Sequence, residues 1–419
     1  MNSLLQKNDV KRASGSPYRV MVVDDSAIIR GFICRYLQED PQIEVVTTAV
    51  NGEVALSNLK KRDIEVVVLD IEMPVMDGLT ALPKMLEIDN NLQVVMASTL
   101  TLKNANVSLD ALGKGAVDYV PKPETARSVN ASVDFRREIV EKVKAWGGAR
   151  RKALGEALPS KIKKVDNSSV KFTRPVAKGA ARPGGFVTAK RPATVVSTSP
   201  RPHKEKTKRE TFDRSKPIEL RKGSMRKPKV LAVGSSTGGP QALLAFFKAL
   251  DGKVNVPVVV CQHMPKTFTA ILAQHISTAT NFIAKEGAEG EALIAGRIYI
   301  APGDYHMYCE EKDGQVISRL NQDPQENYCR PSVDPLFRSL TRIYKDRVLA
   351  VILTGMGHDG LKGSRDLVRE GSTILAQDEE SSVVWGMPGA VASTGLCSEV
   401  LPINELGDAV ARRLAGGFG

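Results

Sequence analysis

The stretch Lys229–Leu250, KVLAVGSSTGGPQALLAFFKAL, carries the local pattern on which the fold prediction depends. A β-rich apolar run ends at Val233 and a glycine-rich turn follows it. Pro240 then suits the start of a helix, because its fixed φ angle fits the first helical turn. Short buried strands that alternate with helices are typical of a parallel α/β sheet. This unit therefore predicts an α/β fold for the region around it.

The region after this stretch repeats the same alternation. Further strand candidates are Val256–Gln262, Arg297–Ala301, Val348–Thr354 and Thr373–Ala376. An antiparallel hairpin is also predicted, because two alternating runs, His306–Glu311 and Gln315–Leu320, are separated by Lys-Asp-Gly. We therefore expect a Rossmann-like parallel sheet with an added hairpin over residues 229–416.

The N-terminal region shows the pattern again over residues 18–146. Its strand candidates are Arg19–Val23, Glu44–Ala49, Val66–Asp70, Val94–Ser98 and Tyr119–Val120, with helical stretches between them. A second doubly wound parallel sheet, of the flavodoxin-like type, is the fold class that this order predicts. Residues 1–17 are interpreted as an N-terminal extension.

The positive charge of the chain is concentrated in one segment. The formal net charge is +12, yet residues 150–229 alone hold 24 Lys and Arg against six Asp and Glu, and the remainder is mildly acidic. The same segment is rich in proline and poor in large apolar residues, so it cannot bury enough surface to offset its ordering entropy. We predict a disordered basic linker over residues 147–228 that joins two α/β domains.

Composition excludes several protein classes. The apolar runs are far shorter than the roughly 20 residues of a membrane span, and no secretory signal is visible at the N-terminus. The five cysteines lie far apart without a CxxC pair, which disfavours a zinc site or a disulfide scaffold. These features indicate a cytoplasmic protein without membrane insertion.

Acidic residues follow two strands of the N-terminal domain. Asp24 and Asp25 follow the first strand, and Asp70 ends the third. The carboxyl ends of parallel strands converge on one crevice, and several carboxylates there favour a hard cation such as Mg²⁺. Lys122 and Ser98 reach the same edge. The simpler interpretation of Asp24 or Asp25 alone is a helix N-cap.

Taken together, this pattern resembles a response-regulator receiver domain. The order Asp24-Asp25, then DIEMPVMDG from Asp70, then Ser98, then Lys122-Pro123 covers nearly all of residues 18–130. The resemblance implies Asp70 as the phosphoacceptor and Asp24 with Asp25 as its Mg²⁺ partners. It also implies switch roles for Ser98 and Lys122.

The receiver resemblance carries two further expectations. Tyr119 occupies the position of the family's switch aromatic, and Lys122-Pro123 the position of its usual cis peptide. Phosphorylation adds strong acceptor oxygens that pair with new donors, a local change that can shift a domain interface.

The turn after Val233 matches G-x-S-x-G, with Ser236 in the nucleophile position. Such a turn raises one hydroxyl above the sheet, and the free N–H groups of the following helix can face developing negative charge. A glycine-rich turn that binds phosphate or a dinucleotide is an equally good interpretation of the turn alone. No acidic residue stands at the end of the next strand, as a dinucleotide site would favour.

A nucleophilic serine needs a base and an orienting acid. His263 follows the strand after Ser236 and is the preferred base, whereas His275 and His306 are interpreted as structural and His203 as a solvated linker residue. The most apolar strand is followed by Thr354–Gly360, TGMGHDG, in which Asp359 is the candidate acid. His358 remains a rival base, because it adjoins Asp359.

The motifs GSSTGG, QHMP and TGMGHDG, in this order, resemble the catalytic domain of the chemotaxis protein-glutamate methylesterases. With the receiver ahead of it, the layout resembles the chemotaxis response-regulator methylesterase family, called CheB. The resemblance implies Ser236 as nucleophile, His263 as general base and then acid, and Asp359 as orienting carboxylate. It places Thr237 beside the nucleophile and the backbone N–H of Met356 at the oxyanion.

The sequence departs from this family at two positions near the motifs. His358 stands where relatives often have asparagine, and Gly389 stands where they usually carry a charged residue. The linker over residues 147–228 is also far longer than the short hinge of the best-known relatives.

The expected activity is hydrolysis of glutamate methyl esters, with deamidation of glutamine, on methyl-accepting chemotaxis receptors. The resemblance implies a chemotaxis histidine kinase as phosphodonor, Mg²⁺ for the receiver and no cofactor for the esterase step. It also implies that the protein is cytoplasmic and associates peripherally with receptor clusters.

Several alternatives stay open at this point. A DNA-binding response regulator would explain the receiver and the basic charge, although residues 147–228 lack the periodic apolar positions of a helix-turn-helix core, and no nucleic-acid partner is expected. A catalytically inactive interaction module is disfavoured by the intact Ser236, His263 and Asp359. The linker itself is interpreted as a solvated spacer or as an electrostatic arm for acidic receptor or lipid surfaces.

Overall fold

The computed structural model describes residues 15–99, 102–122, 133–159, 217–250 and 252–417 of the chain. Within these residues two parallel sheets form, and each is covered by helices. No helix in these ranges combines the length and the apolar character that crossing a lipid bilayer requires.

The N-terminal domain has a five-stranded parallel sheet with the strand order β2-β1-β3-β4-β5. Its elements are β1 Tyr18–Val23, α1 Ala27–Gln38, β2 Ile43–Ala49, α2 Gly52–Lys61, β3 Val66–Asp70, α3 Gly78–Ile88, β4 Gln93–Thr99, α4 Leu102–Gly113, β5 Asp118–Lys122 and α5 Val133–Ala153. Side-chain N-caps begin three of the helices, at Ser26, Asn51 and Asp77. Strand β3 is buried along its whole length, as a central parallel strand covered on both faces must be.

The C-terminal domain has a seven-stranded parallel sheet with the order β15-β14-β13-β6-β7-β10-β8. Its elements are β6 Val230–Ser235, α6 Gly239–Ala249, β7 Val258–Gln262, α7 Phe268–Ala279, β8 Ile283–Glu286, β9 Glu291–Ala292, β10 Arg297–Ile300, β11 His306–Lys312, β12 Gln315–Asn321, α8 Val333–Tyr344, a 3-10 turn Lys345–Arg347, β13 Val348–Ile352, α9 Leu361–Arg369, β14 Thr373–Gln377, α10 Met387–Ala392, β15 Glu399–Leu401 and α11 Ile403–Ala415. Strands β6 and β13 are adjacent and fully buried at its centre.

The predicted fold class is confirmed, including the antiparallel hairpin of β11 and β12. This hairpin forms a small third sheet with β9, a strand of two residues. Strands β8, β9 and β15, of two to four residues each, were missed in the sequence.

The two ends of the predicted linker are structured. Helix α5 continues past residue 146 to Ala153, because Arg151 is buried against Glu65 through two hydrogen bonds of 2.6 and 2.8 Å. On the other side, the backbone N–H of Arg221 donates to Cys397, and that of Ser224 donates to Thr373. The intervening residues 160–216 lie outside the described ranges, as does Pro123 of the predicted Lys-Pro cis peptide.

The two domains touch through helices α4 and α7 and the start of β5. The rings of Tyr119 and Phe268 stack with centroids 4.3 Å apart at an interplanar angle of 9°. The Gln241 amide donates to the carbonyl of Ala116 at 3.1 Å. A parallel aromatic stack of this kind adds roughly 0.5–1.5 kcal/mol beyond the burial of its area. The Tyr119 position is therefore coupled directly to the C-terminal domain.

Candidate active site

Ser236 is the first residue after β6 and stands at the entrance to helix α6. Its backbone N–H donates to the carbonyl of Thr354 at 3.0 Å, which ties the turn to the loop after β13. The turn depends on two glycines. Gly238 has a left-handed φ of 75°, and a Cβ on Gly239 would lie 1.9 Å from the Gln262 side chain. The chain can therefore bring Ser236 to the carboxyl edge of the sheet only with these residues.

His263 follows β7 and is held beside the serine turn. Its backbone N–H donates to the carbonyl of Ser235 at 3.1 Å, and the amide of Gln262 donates to the carbonyl of Ser236 at 3.0 Å. The ring nitrogen Nε2 contacts Asp359 Oδ2 at 2.7 Å. The structure thus brings His263 and Asp359 into direct contact.

Asp359 is almost fully buried, and its two carboxylate oxygens are surrounded by donors. Besides His263, the donors are Asn327 Nδ2 (2.7 Å), Ser332 Oγ (2.8 Å), Val333 N (2.6 Å), Asp334 N (3.2 Å) and Gly360 N (2.9 Å). Burial alone would raise the pKa of Asp359, but the contacts with His263, Val333 and Ser332 outweigh it and lower the pKa to about 2. This carboxylate is therefore ionised at any pH at which the protein would work.

The ionised state of Asp359 fixes the tautomer of the histidine. A carboxylate only accepts hydrogen bonds, so Nε2 of His263 carries the proton and the lone pair of the neutral ring lies on Nδ1. Burial lowers the pKa of His263, yet the sulfur of Cys329 and the Asp359 carboxylate raise it well above its ordinary value. In the neutral ring, Nδ1 is the nitrogen that can act as a base, and the raised pKa strengthens its hold on a proton.

The Ser236 hydroxyl makes no hydrogen bond to the candidate base, His263, among the described residues. Nδ1 of His263 instead contacts the sulfur of Cys329 at 3.3 Å. Catalytic hydrogen bonds, such as one between Ser236 and His263, are often long before substrate binds and shorten in the complex. His358, the rival base, is exposed.

Two backbone N–H groups at the site lack an acceptor. Those of Thr237 and Met356 donate no hydrogen bond within the residues that the structure describes. Thr237 opens the turn into α6, and Met356 lies in the half-buried loop after β13. A Cβ on Gly355 would lie 2.9 Å from that of Ser236, so the loop approaches the serine as closely as a glycine allows. Both N–H groups are therefore available to donate to a ligand.

The sequence analysis overlooked the segment from Asn327 to Asp334, which contributes four of the donors to Asp359. Asn327 bridges Asp359 and the buried Asp334, to which it also donates at 2.9 Å. Burial and the nearby charge of Asp359 raise the pKa of Asp334 to about 6. The run NYCRPS, which immediately precedes a strongly amphipathic helix that begins VD, was the available signal.

Gly389, the other position that differs from the resemblance, lies in the short helix α10. A Cβ there would lie 2.8 Å from the ring of Trp385, whose indole N–H donates to the carbonyl of Gln377 at 2.9 Å. Trp385 thus occupies the space into which a longer side chain at 389 would extend.

A second cluster stands at the carboxyl edge of the N-terminal sheet. Ligand oxygens of Asp24, Asp25 and Asp70 all lie within 4.8 Å of one another. Lys122 Nζ lies 3.0 Å from Asp24 and 2.7 Å from Asp70. Three carboxylates converging at one point are a donor set suited to Mg²⁺, so the residues fit such an ion. Asp24 also accepts from the backbone N–H of Ser26, which is itself the helix cap.

Asp70 has a pKa shifted in the opposite direction from Asp359. Burial raises it to about 6, against the lowering effect of Lys122 and with a further rise from Asp24. Ser98 is buried nearby, and its hydroxyl lies 2.8 Å from that of Ser108. Tyr119 is buried in the contact with Phe268.

Comparisons with known proteins agree with this division of the chain. Residues 20–134 match the response regulator receiver domain model, and residues 231–410 match the CheB methylesterase model. A "protein-glutamate methylesterase/protein-glutamine glutaminase 1" of Rhodospirillum rubrum is 50% identical over 95% of this chain and 95% of its own. A namesake of Paramagnetospirillum magneticum is 49% identical over 93% and 94%.

A further relative, a protein-glutamate methylesterase/protein-glutamine glutaminase of Azospirillum brasilense, is 46% identical. The alignment covers 94% of this chain and 92% of that one. The shared identity therefore spans both domains. The chain belongs to the chemotaxis CheB family of receiver-coupled protein-glutamate methylesterases.

Proposed function

We propose that this chain hydrolyses γ-glutamyl methyl esters on chemotaxis receptors, and deamidates glutamine, through an acyl-enzyme on Ser236. The observation that carries the proposal is the His263–Asp359 contact beside a serine raised on a strand-to-helix turn. Such a group of residues serves acyl transfer on many unrelated folds. The names of the relatives support the substrate class.

The proposed reaction begins with attack of Ser236 Oγ on the ester carbonyl carbon. Nδ1 of His263 takes the serine proton, and Asp359 stabilises the imidazolium that forms. The N–H groups of Thr237 and Met356 donate to the oxyanion. The proton on Nδ1 then passes to the departing methoxide, which leaves as methanol. Water attacks the acyl-enzyme by the same route and regenerates glutamate, whereas a glutamine substrate releases ammonia instead.

We also infer that the N-terminal domain regulates this reaction through phosphorylation of Asp70 by a chemotaxis histidine kinase. Asp24, Asp25 and Asp70 would hold Mg²⁺, which supplies positive charge next to the acceptor carboxylate. Lys122 would pair with the phosphoryl group. Ser98, 10 residues before its partner Ser108, would contact one of its oxygens.

Contacts between the domains support a covering role for the receiver. The guanidinium of Arg137 lies 4.8 Å from the ring centre of Tyr328, next to Cys329. Lys152 Nζ donates to the carbonyls of Glu379 and Glu380, at 2.8 and 3.1 Å. Tyr328 adjoins Cys329, and Glu379 and Glu380 follow β14, so receiver side chains contact two loops of the C-terminal domain.

The proposed activity is tested by methanol release from receptor-bearing membranes that carry labelled methyl groups. We expect Ser236→Ala and His263→Gln each to lower the rate by at least about a thousandfold. His358→Gln, a change in the exposed neighbouring histidine, should leave most of the rate. Wild-type release in Ser236→Ala would refute the mechanism.

Regulation is tested by removing these two contacts between the domains. Arg137→Ala combined with Lys152→Ala should raise the unphosphorylated rate toward the phosphorylated one, because both loops lose their receiver contact. Arg136→Ala is the matched control, since Arg136 pairs with Glu39 inside the receiver. An unchanged basal rate in the double variant, with normal activation by a phosphodonor and Mg²⁺, would argue against the covering role.

A further inference from the structure

Cys329 differs from the other cysteines of the chain in its surroundings. Cys261, Cys309 and Cys397 are buried, whereas Cys34 and Cys329 are half-buried. Of these two, only Cys329 lies at the candidate active site, with Sγ 3.3 Å from Nδ1 of His263. None of the steps proposed above uses this sulfur.

The backbone of Cys329 belongs to a turn that is also anchored to Asp359. Glu326 and Cys329 exchange two backbone hydrogen bonds, of 3.2 and 2.9 Å, across a tight turn. The turn contains Asn327 and Tyr328, both with left-handed φ angles. Asn327 is in turn anchored to Asp359 at 2.7 Å. These contacts hold the backbone of Cys329 beside the base, and its sulfur lies 3.3 Å from Nδ1.

The contact places a proton acceptor directly on the thiol. Because Nε2 of His263 donates to Asp359, the lone pair on Nδ1 faces Cys329. Transfer of the thiol proton to Nδ1 gives a thiolate beside an imidazolium, the pair that makes a cysteine nucleophilic. The nearby Asp359 carboxylate stabilises that imidazolium as it would in catalysis.

We propose that Cys329 is a modification site for soft carbon electrophiles, such as haloacetamides and α,β-unsaturated carbonyls, and that its adduct disables the esterase. With iodoacetamide, sulfur forms a bond to the CH₂ carbon and iodide leaves with the electrons of the C–I bond. The thiol proton passes to Nδ1 of His263 and then to water.

The second half of the proposal rests on the proposed function. An adduct on Sγ is attached to an atom 3.3 Å from Nδ1, the nitrogen that must receive the proton of Ser236. The adduct would exclude the serine and the substrate from the base. Modification of Cys329 would therefore stop the reaction, although its sulfur takes part in none of the catalytic steps.

The test is alkylation of the full-length protein by iodoacetamide, followed by mass spectrometry of each cysteine peptide and by methanol release. Cys34 is an internal reference, because burial raises the pKa of its thiol despite the nearby Arg30. We expect Cys329 to react about tenfold faster than Cys34 at neutral pH, and His263→Gln to remove that advantage without changing the rate at Cys34. Equal rates in the wild type, or an unchanged ratio in His263→Gln, would overturn the pairing.

Activity measurements test the consequence. Wild type and Cys34→Ser should lose methanol release in proportion to the fraction of Cys329 modified, whereas Cys329→Ser should keep its own untreated rate in the reagent. Full modification of Cys329 with most activity retained, or equal inactivation of Cys329→Ser, would refute a blocking adduct. If untreated Cys329→Ser releases no methanol, the wild type alone decides whether the adduct blocks the reaction: its loss of methanol release must follow the fraction of Cys329 that is modified.

Failure of the proposed function gives a different result. An untreated wild type that releases no methanol would count against the esterase assignment. The ratio of alkylation rates between the wild type and His263→Gln would still confirm or refute the Cys329–His263 pairing.

Discussion

Asp70 and Asp359 are both buried aspartates at the carboxyl edge of a parallel sheet, yet their pKa values move in opposite directions. That of Asp70 is raised to about 6, and that of Asp359 is lowered to about 2. Burial raises the pKa of both, so burial cannot explain the difference. The donors around each carboxylate decide it.

The two surroundings differ in the number of hydrogen-bond donors and in the charge of the neighbours. Asp359 accepts from six donors, four of them contributed by residues 327–334. Asp70 has Lys122 and one backbone N–H, and the carboxylate of Asp24 lies beside it. A carboxylate that accepts many hydrogen bonds, as Asp359 does, holds its partner in one orientation. A carboxylate with few donors, such as Asp70, remains available to a cation or a phosphoryl group. The same position at a sheet edge thus serves two kinds of chemistry.

The largest expected effect comes from removing the charge of Asp359. Asp359→Asn keeps the shape of the side chain but removes the carboxylate that holds the proton on Nε2 of His263. The proton can then move to Nδ1, which leaves the lone pair on Nε2, away from Ser236. We expect methanol release to fall about 10⁴-fold, the size seen when the acid of a serine triad is made neutral. A fall of less than tenfold, with the fold intact by circular dichroism, would show that Asp359 is not the orienting acid.

A smaller effect is expected from removing one donor. Asn327→Ala takes one hydrogen bond from Asp359 and leaves the charge in place, so the carboxylate loses position but remains an anion. We expect kcat to fall roughly 10–100-fold, as for a misplaced catalytic group, with little change in KM. Asn321→Ala, at the end of the hairpin strand β12, is the control and should leave kcat within about twofold. A rise in KM alone in Asn327→Ala would point to substrate binding.

The acid stability of the protein should report the lowered pKa of Asp359. The folded pKa lies below the unfolded one, so ionisation stabilises the fold at neutral pH, and this contribution is lost as pH falls through about 4 toward 2. We expect wild type to exceed Asp359→Asn in free energy of unfolding by about 2 kcal/mol at pH 7. Denaturant titrations at pH 7 and pH 3 test this. A difference in free energy of unfolding between wild type and Asp359→Asn that is no smaller at pH 3 would contradict it.

The smallest effect should have the opposite sign. The folded pKa of Asp70 lies above the unfolded one, so its ionisation destabilises the fold above about pH 6, and the penalty disappears below about pH 4. Asp70→Asn should therefore stabilise the protein by about 1 kcal/mol at pH 7.5 in EDTA, after allowance for the lost contact with Lys122. Thermal unfolding measures the gain, and Mg²⁺ should remove it by stabilising wild type alone. A lower melting temperature for Asp70→Asn in EDTA would refute the comparison.

The sequence predicted where the reactive groups lie but not what surrounds them. Strand ends and short motifs placed Asp70, Ser236, His263 and Asp359 at two sheet edges, because the parallel fold fixes where strands end. The donors to Asp359 from residues 327–334 come from 25 to 32 residues away in the chain. Contacts of that separation depend on tertiary packing, which single-sequence patterns do not encode.

The domain boundaries show the same limit. Composition placed the start of the linker at residue 147, within α5, because basic residues dominate from Arg150 onward. Arg151 nevertheless pairs with Glu65, 86 residues earlier, and the pair is buried. A charged side chain that finds a buried partner is indistinguishable, in sequence, from one that stays in water.

That ion pair also decides where the long connection between the domains begins. Arg151 binds the carbonyls of Ser16 and Pro17 together with Glu65, all at the amino edge of the N-terminal sheet. The chain enters the C-terminal sheet at its amino edge too, where Lys229 donates to Arg347 ahead of β6. Both attachment points therefore lie at the opposite edge of each sheet from its reactive residues. A change in the length of the tract between these two anchors therefore removes none of the hydrogen bonds that hold them, whereas Lys152, next to Arg151, contacts Glu379 and Glu380 of the other domain.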